Sequence, residues 1–108
     1  MSPVAEQHCV PCASGGQPLK GAELDKPIDR LGPGWTVIEG KRLQREFAFA
    51  DFSQALDFVN RVGALAEEEN HHPDITLTWG RVTVTLWTHK IKGLHENDFI
   101  MAAKIDSL

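Results

Sequence analysis

The sequence predicts an α+β fold of the order α-β-β-α-β-β-α, in which a four-stranded antiparallel sheet carries helices packed on one face. From Ile75 to Leu86 apolar and polar residues alternate on both sides of Gly80-Arg81, a pattern typical of a β-hairpin with a two-residue turn. Between residues 51 and 69 apolar residues recur at helical spacing instead, which predicts an amphipathic helix. These two segments determine the predicted fold class.

The sequence divides into a short N-terminal segment and one domain. Residues 1–21 are rich in proline and glycine, which predicts a flexible N-terminal segment. Residues 22–108 are then expected to form one domain around a single core. The elements predicted in its first half are a short helix at Leu24–Leu31, stopped by Gly32-Pro33-Gly34, and strands at Trp35–Glu39 and Arg42–Phe49.

The long helix has recognisable start and stop signals. Asp51 can cap its free N–H groups, and Gln54 can reach back as in a capping box. Pro73 cannot continue a helix, so the helix is expected to end near Glu69. A last helix is expected at His95–Ile105. The apolar stripe of the long helix consists of Phe52, Ala55, Leu56, Val59, Val62 and Ala66, and Phe52, Phe58 and Val62 suit either a core or an interface between subunits.

Composition excludes several classes of protein. The hydrophobic fraction is 42%, the charged fraction is 24% and the formal net charge is −4. There is no basic surface for nucleic acid, and the apolar runs are too short to cross a membrane. The N-terminus lacks the pattern of a signal peptide, so a cytoplasmic location is expected. Cys9 and Cys12 are too few for a disulfide framework.

The predicted hairpin brings histidines together. With a turn at Gly80-Arg81, Trp79 faces Val82, and the same register places His72 opposite His89. Facing residues of an antiparallel pair have Cβ atoms about 5 Å apart. His71 adjoins this pair, although the neighbouring proline interrupts the ladder and can shift it. Three of the five histidines thus converge, which indicates a site.

The two faces of the hairpin differ in kind. One face is lined by threonine and ends in His72, Trp87 and His89, which is typical of an open sheet surface. On that face Trp87 suits an oligomer contact and a substrate contact equally well. The other face is expected to pack under the helices and consists of Ile75, Leu77, Trp79, Val82, Val84 and Leu86.

Carboxylates precede the two adjacent histidines. Glu67 lies four residues before His71, and Glu68 lies four before His72, so each pair would be neighbours on a helix. A carboxylate orients an imidazole, and clustered imidazoles exchange protons near neutral pH, which suits general acid–base catalysis. A lone histidine after a helix is more often a cap or a surface group, but a convergent trio favours function.

The run from Glu67 to Asp98 resembles the pterin-4a-carbinolamine dehydratases of bacterial type. The resemblance extends from about Leu24 to Ile105, and Gly34-Trp35 and Glu39-Gly40 also match the family. The signature residues, in the family's order and spacing, are Glu67-Glu68-Glu69, His71-His72-Pro73, Trp79, His89 and Asp98.

This resemblance implies an activity. The family removes water from 4a-hydroxytetrahydrobiopterin (the 4a-carbinolamine), giving quinonoid dihydropterin, so that tetrahydropterin is recycled for aromatic amino acid hydroxylation. It needs no metal or redox cofactor. By resemblance His71 and His89 are the general acids, His72 binds and orients the pterin, Glu67 binds or tunes the cluster, and Trp35 contacts the pterin ring. Asp98 belongs to the signature, although an acid at a helix N-terminus usually has a structural role.

The resemblance also implies partners. A homodimer or homotetramer is expected, together with a functional link to phenylalanine hydroxylase and no membrane partner. Two alternatives remain. His8-Cys9-x-x-Cys12 together with the histidine trio could bind zinc, although one CxxC supplies only two ligands. A regulatory role is the other alternative, because animal relatives act as dimerisation cofactors of a homeodomain transcription factor.

Overall fold

The computed structural model describes residues 28–29, 31, 33–89 and 92–108. The predicted N-terminal segment and most of the first predicted helix lie outside these residues, and only Ile28 and Asp29 of that helix are described as helical. The order β-β-α-β-β-α of the remaining elements confirms the predicted fold class. The elements are β1 (Thr36–Ile38), β2 (Arg42–Ala48), α1 (Phe52–Glu69), β3 (Asp74–Leu77), β4 (Arg81–Leu86) and α2 (Glu96–Asp106).

The four strands form one antiparallel sheet in the order β1-β2-β4-β3. Along β4, buried Val82, Val84 and Leu86 alternate with half-buried Thr83 and Thr85, so the sheet has one apolar face and one polar face. Both helices pack on the apolar face, as predicted. The helical residues of the core are Ala55, Phe58, Val62, Ala66, Phe99, Met101, Ala102 and Ile105. No helix in the described ranges is both long and apolar enough to cross a membrane.

The hairpin register differs from the predicted one by two residues. Ile75 pairs with Val84 rather than with Leu86. The backbone N–H of Thr78 donates to the Arg81 carbonyl at 2.9 Å, so the connection consists of residues 79–80. A shift of two leaves every side chain on its predicted face, but the predicted pairing of the histidines at 72 and 89 was wrong.

A contact from the residue that follows β2 accounts for this shift. The N–H of Phe49 donates to the Gly80 carbonyl at 2.8 Å, and a Cβ on Gly80 would lie 3.0 Å from the Phe49 oxygen. Gly80 therefore lies against Phe49, within the turn. Its neighbour Trp79 is carried out to the turn, where it is 68% exposed, so its predicted place in the core was wrong.

Helix α1 begins where the sequence predicted. Asp51 accepts from the N–H of Gln54 at 2.8 Å, while the Gln54 side chain accepts from Ala50 at 3.4 Å rather than from the cap residue itself. Phe52 and Leu56 of the predicted stripe are 44% and 41% exposed. The core positions of α1 are Ala55, Phe58, Val62 and Ala66, so Phe58 and Val62 serve core packing within the chain.

Helix α2 is held at both ends by its own carboxylates. At its start, Asp98 accepts from the backbone N–H of His95 at 2.9 Å, closing a capping box. At its end, Asp106 accepts from Trp35 Nε1 and from Arg45 Nη1, each at 2.9 Å. At 1.5 Å per residue, the second carboxylate lies about 12 Å further along the helix axis.

Candidate active site

A fully buried carboxylate lies at the centre of the site. Asp98 is 0% exposed, and its Oδ1 is 2.6 Å from His71 Nε2. Its Oδ2 accepts from Thr88 Oγ1 and from the N–H of His95, each at 2.9 Å. The carboxylate therefore joins the segment after α1, the segment after β4 and the start of α2. Hydrogen bonds to ionised groups are among the strongest in proteins.

The turn that delivers His71 to this carboxylate is set by Asn70. Helix α1 ends at Glu69, and Asn70 adopts the left-handed conformation at φ 53 and ψ 41. Beyond Asn70, residues four positions apart therefore no longer lie side by side. The predicted pairing of Glu67 with His71 was wrong, because the side chain of His71 is only 12% exposed and turns toward Asp98.

The second histidine is paired differently from the prediction as well. His72 Nε2 lies 3.0 Å from Glu67 Oε2, so its carboxylate partner is Glu67 rather than Glu68. Both side chains of this pair are exposed, at 56% and 80%. Surface ion pairs of this kind contribute little to stability. The contact of Glu67 with His72 therefore serves to orient the His72 ring at the surface of the site rather than to stabilise the fold.

His89 lies just beyond β4. The residue before it, Thr88, forms a bridge with Gly93 through hydrogen bonds of 2.8 and 3.4 Å. The His89 ring centroid is 4.3 Å from that of Trp87, at an interplanar angle of 53°. No described residue forms a hydrogen bond with either ring nitrogen of His89. Since Thr88 also donates to Asp98, the segment that carries His89 is tied to the partner of His71.

This arrangement suits proton transfer. A carboxylate only accepts, so His71 and His72 each donate from Nε2, and this bond fixes the tautomer when the ring is neutral. Nδ1 of each ring is then the atom that can accept or deliver a proton. His89 offers both of its nitrogens. The structure thus brings His71, His72 and Glu67 around the end of α1, and links His89 to them through Asp98 and Thr88.

Trp35 lies elsewhere in the chain. It is 9% exposed, donates to Asp106 and packs edge-on against Phe47 at a centroid distance of 6.2 Å. This places it at the far end of α2 from Asp98. The structure therefore does not bring Trp35 beside the histidines, and its predicted contact with a pterin stays a prediction.

Two residues of the site were not predicted as such. Asp98 had a signal, since it belongs to the family signature, but its position in the first turn of a helix favoured a structural role. In the structure it both caps the helix and binds His71. For Thr88 the alternation along β4 indicated a place on the buried face. Nothing in its immediate sequence indicates a buried hydroxyl.

Within the described part of the chain, no group of three or more His, Cys, Asp or Glu is placed to hold a metal ion. Cys9 and Cys12 lie outside the described residues. A surface groove of about 490 Å³ lies at the start of α1, and it is lined by Phe49, Ser53, Gln54, Asp57, Phe58, Arg61 and Leu108.

The fold and this site define an α+β protein with imidazoles paired to carboxylates at one end of an antiparallel sheet. Residues 17–108 match the family described as "Pterin 4 alpha carbinolamine dehydratase". The chain belongs to this family. Over 108 residues it is 57% identical to the "Putative pterin-4-alpha-carbinolamine dehydratase" of Rubrobacter xylanophilus, covering 100% of both chains.

Two solved structures are similar to the chain. A "transcriptional coactivator/pterin dehydratase" from Brucella melitensis has a TM-score of 0.77 and 35% identity, with 84% of this chain and 97% of that chain covered. A second structure is that of a pterin dehydratase-like protein identified as a RuBisCO assembly factor in the alpha-carboxysome. It has a TM-score of 0.59 and 28% identity, with 68% of this chain and 87% of that chain covered.

Proposed function

We propose that this protein dehydrates 4a-hydroxytetrahydrobiopterin to quinonoid dihydropterin and water by histidine general acid–base catalysis, in the recycling of tetrahydropterin for aromatic amino acid hydroxylation. The observation that carries the proposal is the pairing of His71 with the buried carboxylate of Asp98, in a chain that belongs to the dehydratase family. A nearly buried imidazole with an oriented ring and an available second nitrogen is suited to proton transfer.

The reaction needs one proton delivered and one removed. The C4a–O bond breaks and the leaving hydroxide takes a proton, so that it departs as water. The N5 lone pair forms the C4a=N5 double bond, and the proton on N5 is released to a base. The protein therefore gains one proton and loses one in each cycle. Positioned acids and bases of this kind typically contribute about 10²- to 10⁴-fold in rate.

The geometry supports roles for His71, His72 and His89, with Glu67 beside His72. His71 would deliver or accept a proton through Nδ1, since Nε2 is held by Asp98. His89, whose nitrogens no described residue engages, would meet the substrate as the second acid or base. His72 would bind and orient the pterin at the surface, with its ring held by Glu67. None of these roles requires a metal or a redox cofactor.

The test is the dehydration of 4a-hydroxytetrahydropterin, followed as the loss of its ultraviolet absorbance against the spontaneous reaction. The wild type is compared with His71→Gln/His89→Gln, in which amides replace both imidazoles but retain hydrogen-bonding groups. Asp57→Asn is the control, because this exposed residue pairs with Arg61 away from the site. Circular dichroism checks that every variant is folded.

Acceleration by the wild type and the control that disappears in the double variant would support the proposal. An equal rate with and without wild-type protein would refute it. A role in assembling another protein would then come forward, by analogy with the pterin dehydratase-like protein identified as a RuBisCO assembly factor. Light scattering on the same samples would decide between a monomer and the homodimer or homotetramer that the family resemblance implies.

A further inference from the structure

We propose that Trp87 is a positioning residue that holds the imidazole of His89 in its working orientation. This inference rests on the proposed function, in which His89 transfers a proton. It concerns a residue for which the sequence left an oligomer contact and a substrate contact open. The observation is the contact between the two rings, whose centroids are 4.3 Å apart and whose planes meet at 53°.

The three histidines of the site are held in different ways. His71 and His72 each have one nitrogen bound to a carboxylate. The ring of His89 has no hydrogen bond from any described residue, and among these residues it is the indole of Trp87 that packs against it. Because an aromatic contact occupies the ring rather than its nitrogens, it orients His89 and leaves both nitrogens for substrate.

Trp87 is itself fixed by its neighbours. Its Nε1 donates to Asp74 Oδ2 at 3.3 Å, which ties the indole to the start of β3. The guanidinium carbon of Arg42, at the start of β2, lies 5.0 Å from its ring centroid, within the range of a cation–π contact. The indole is thus held from the strands on both sides of β4. A side chain anchored in this way can serve as a rigid support.

The backbone of His89 is fixed as well. Thr88 is held by its bridge to Gly93 and by its hydroxyl bond to Asp98. Thr88 thus fixes the backbone position from which the exposed ring of His89 meets the indole of Trp87. A misplacement of about 1 Å in an active site can cost about 10²-fold in rate. Loss of the indole is therefore expected to reduce turnover more than substrate binding.

The experiment uses two replacements of Trp87 in the 108-residue chain. Trp87→Leu keeps apolar bulk but removes the ring. Trp87→Phe keeps a ring beside His89 but removes the hydrogen bond to Asp74. Trp79→Leu is the matched control, because it removes an exposed tryptophan from the hairpin turn. For each variant, kcat and KM for dehydration are determined separately, and the mass in solution is measured by light scattering.

A second readout reports the contact without reference to activity. The carbon-bound ring protons of His89 are followed by NMR, because a neighbouring indole shifts their resonances through its ring current. Trp87→Leu is expected to move the His89 resonances and to leave in place those of His71, which is bound to Asp98. A change in all three histidines would instead indicate a general loss of structure.

The expected result is a fall in kcat of about tenfold or more in Trp87→Leu, within the about 10²-fold that misplacement can cost, with KM little changed. Trp87→Phe should recover most of the rate, and Trp79→Leu should match the wild type. A rise in KM at unchanged kcat would overturn the inference in favour of substrate contact, and dissociation of an oligomer would overturn it in favour of an interface. If the wild type fails to dehydrate the pterin but the His89 resonances still shift, the proposed function fails while the ring contact stands.

Discussion

Asp98 and His71 form a hydrogen bond of 2.6 Å although 27 positions separate them in the chain. The same carboxylate closes the capping box of α2 and accepts from the hydroxyl of Thr88. Asp98, whose place in the first turn is typical of a helix-capping residue, therefore also orients an imidazole. Stability and the proposed chemistry thus depend on the same atoms.

Asp98→Asn is expected to lower kcat for dehydration by at least about tenfold, as part of the about 10²- to 10⁴-fold that a positioned acid or base contributes. A carboxamide can accept through only one of its two terminal atoms, so it cannot serve His71, Thr88 and the backbone of His95 as the carboxylate does. Steady-state kinetics measure this effect. Asp57→Asn removes an exposed charge and should keep the wild-type rate. A wild-type rate in Asp98→Asn would show that the pairing with His71 is dispensable.

The left-handed conformation of Asn70 gives a prediction about stability. Asn70→Ala should reduce the free energy of unfolding by about 1–2 kcal/mol, because a Cβ-bearing residue without asparagine's local hydrogen bonding is strained at this φ. Asn70→Gly removes the Cβ, so its free energy of unfolding should stay close to that of the wild type. Urea denaturation of the three proteins tests this. Equal losses in both variants would instead assign the effect to the asparagine side chain.

Asp106 gives a prediction about pH. Burial raises the pKa of this carboxyl, and the bonds from Trp35 and Arg45 offset the rise only in part. The folded state therefore holds a proton more tightly than the unfolded chain. Linkage then requires the free energy of unfolding to fall as the pH rises from the ordinary carboxyl pKa through the raised one.

Asp106→Asn should remove this contribution, so the wild type loses stability faster than the variant across that interval. Urea denaturation at several pH values from 3 to 7, about the range in which carboxyl groups titrate, measures the difference. Asp57→Asn controls for the loss of one negative charge. Parallel curves for the wild type and Asp106→Asn would contradict the prediction.

The hairpin register leads to a contrast between two apolar residues. Trp79 is exposed at the turn, whereas Leu86 is fully buried. Trp79→Thr should change the free energy of unfolding by no more than about 0.5 kcal/mol, as is usual for surface sites. Leu86→Ala should cost about 2–5 kcal/mol. Thermal or urea denaturation compares them, and a large loss in Trp79→Thr would show that the indole is buried in the protein in solution.

The hairpin shows how far sequence patterns reach. Alternation along β3 and β4 predicted which side chains face the helices, because that depends only on the period of two. The register depends on which residues form the turn. The hydrogen bond between Phe49 and Gly80 settles this choice, and it joins residues far apart in the sequence. The exposed position of Trp79 follows from that contact.

The histidines show the same limit at the end of a helix. Their sequence order and the family signature predicted that His71, His72 and Glu67 belong to one site. Helical spacing predicted the wrong carboxylate for each histidine, because the backbone reverses at Asn70. The correct partner of His71 comes from a helix that follows two strands later, and no local pattern indicates that distance.

Helix α2 is fastened at both ends, by Asp98 near its start and by Asp106 at its last residue. The helix cannot shift or rotate without breaking the hydrogen bonds of one of these two carboxylates. The indole of Trp35 therefore secures the far end of the same helix whose first turn carries the partner of His71.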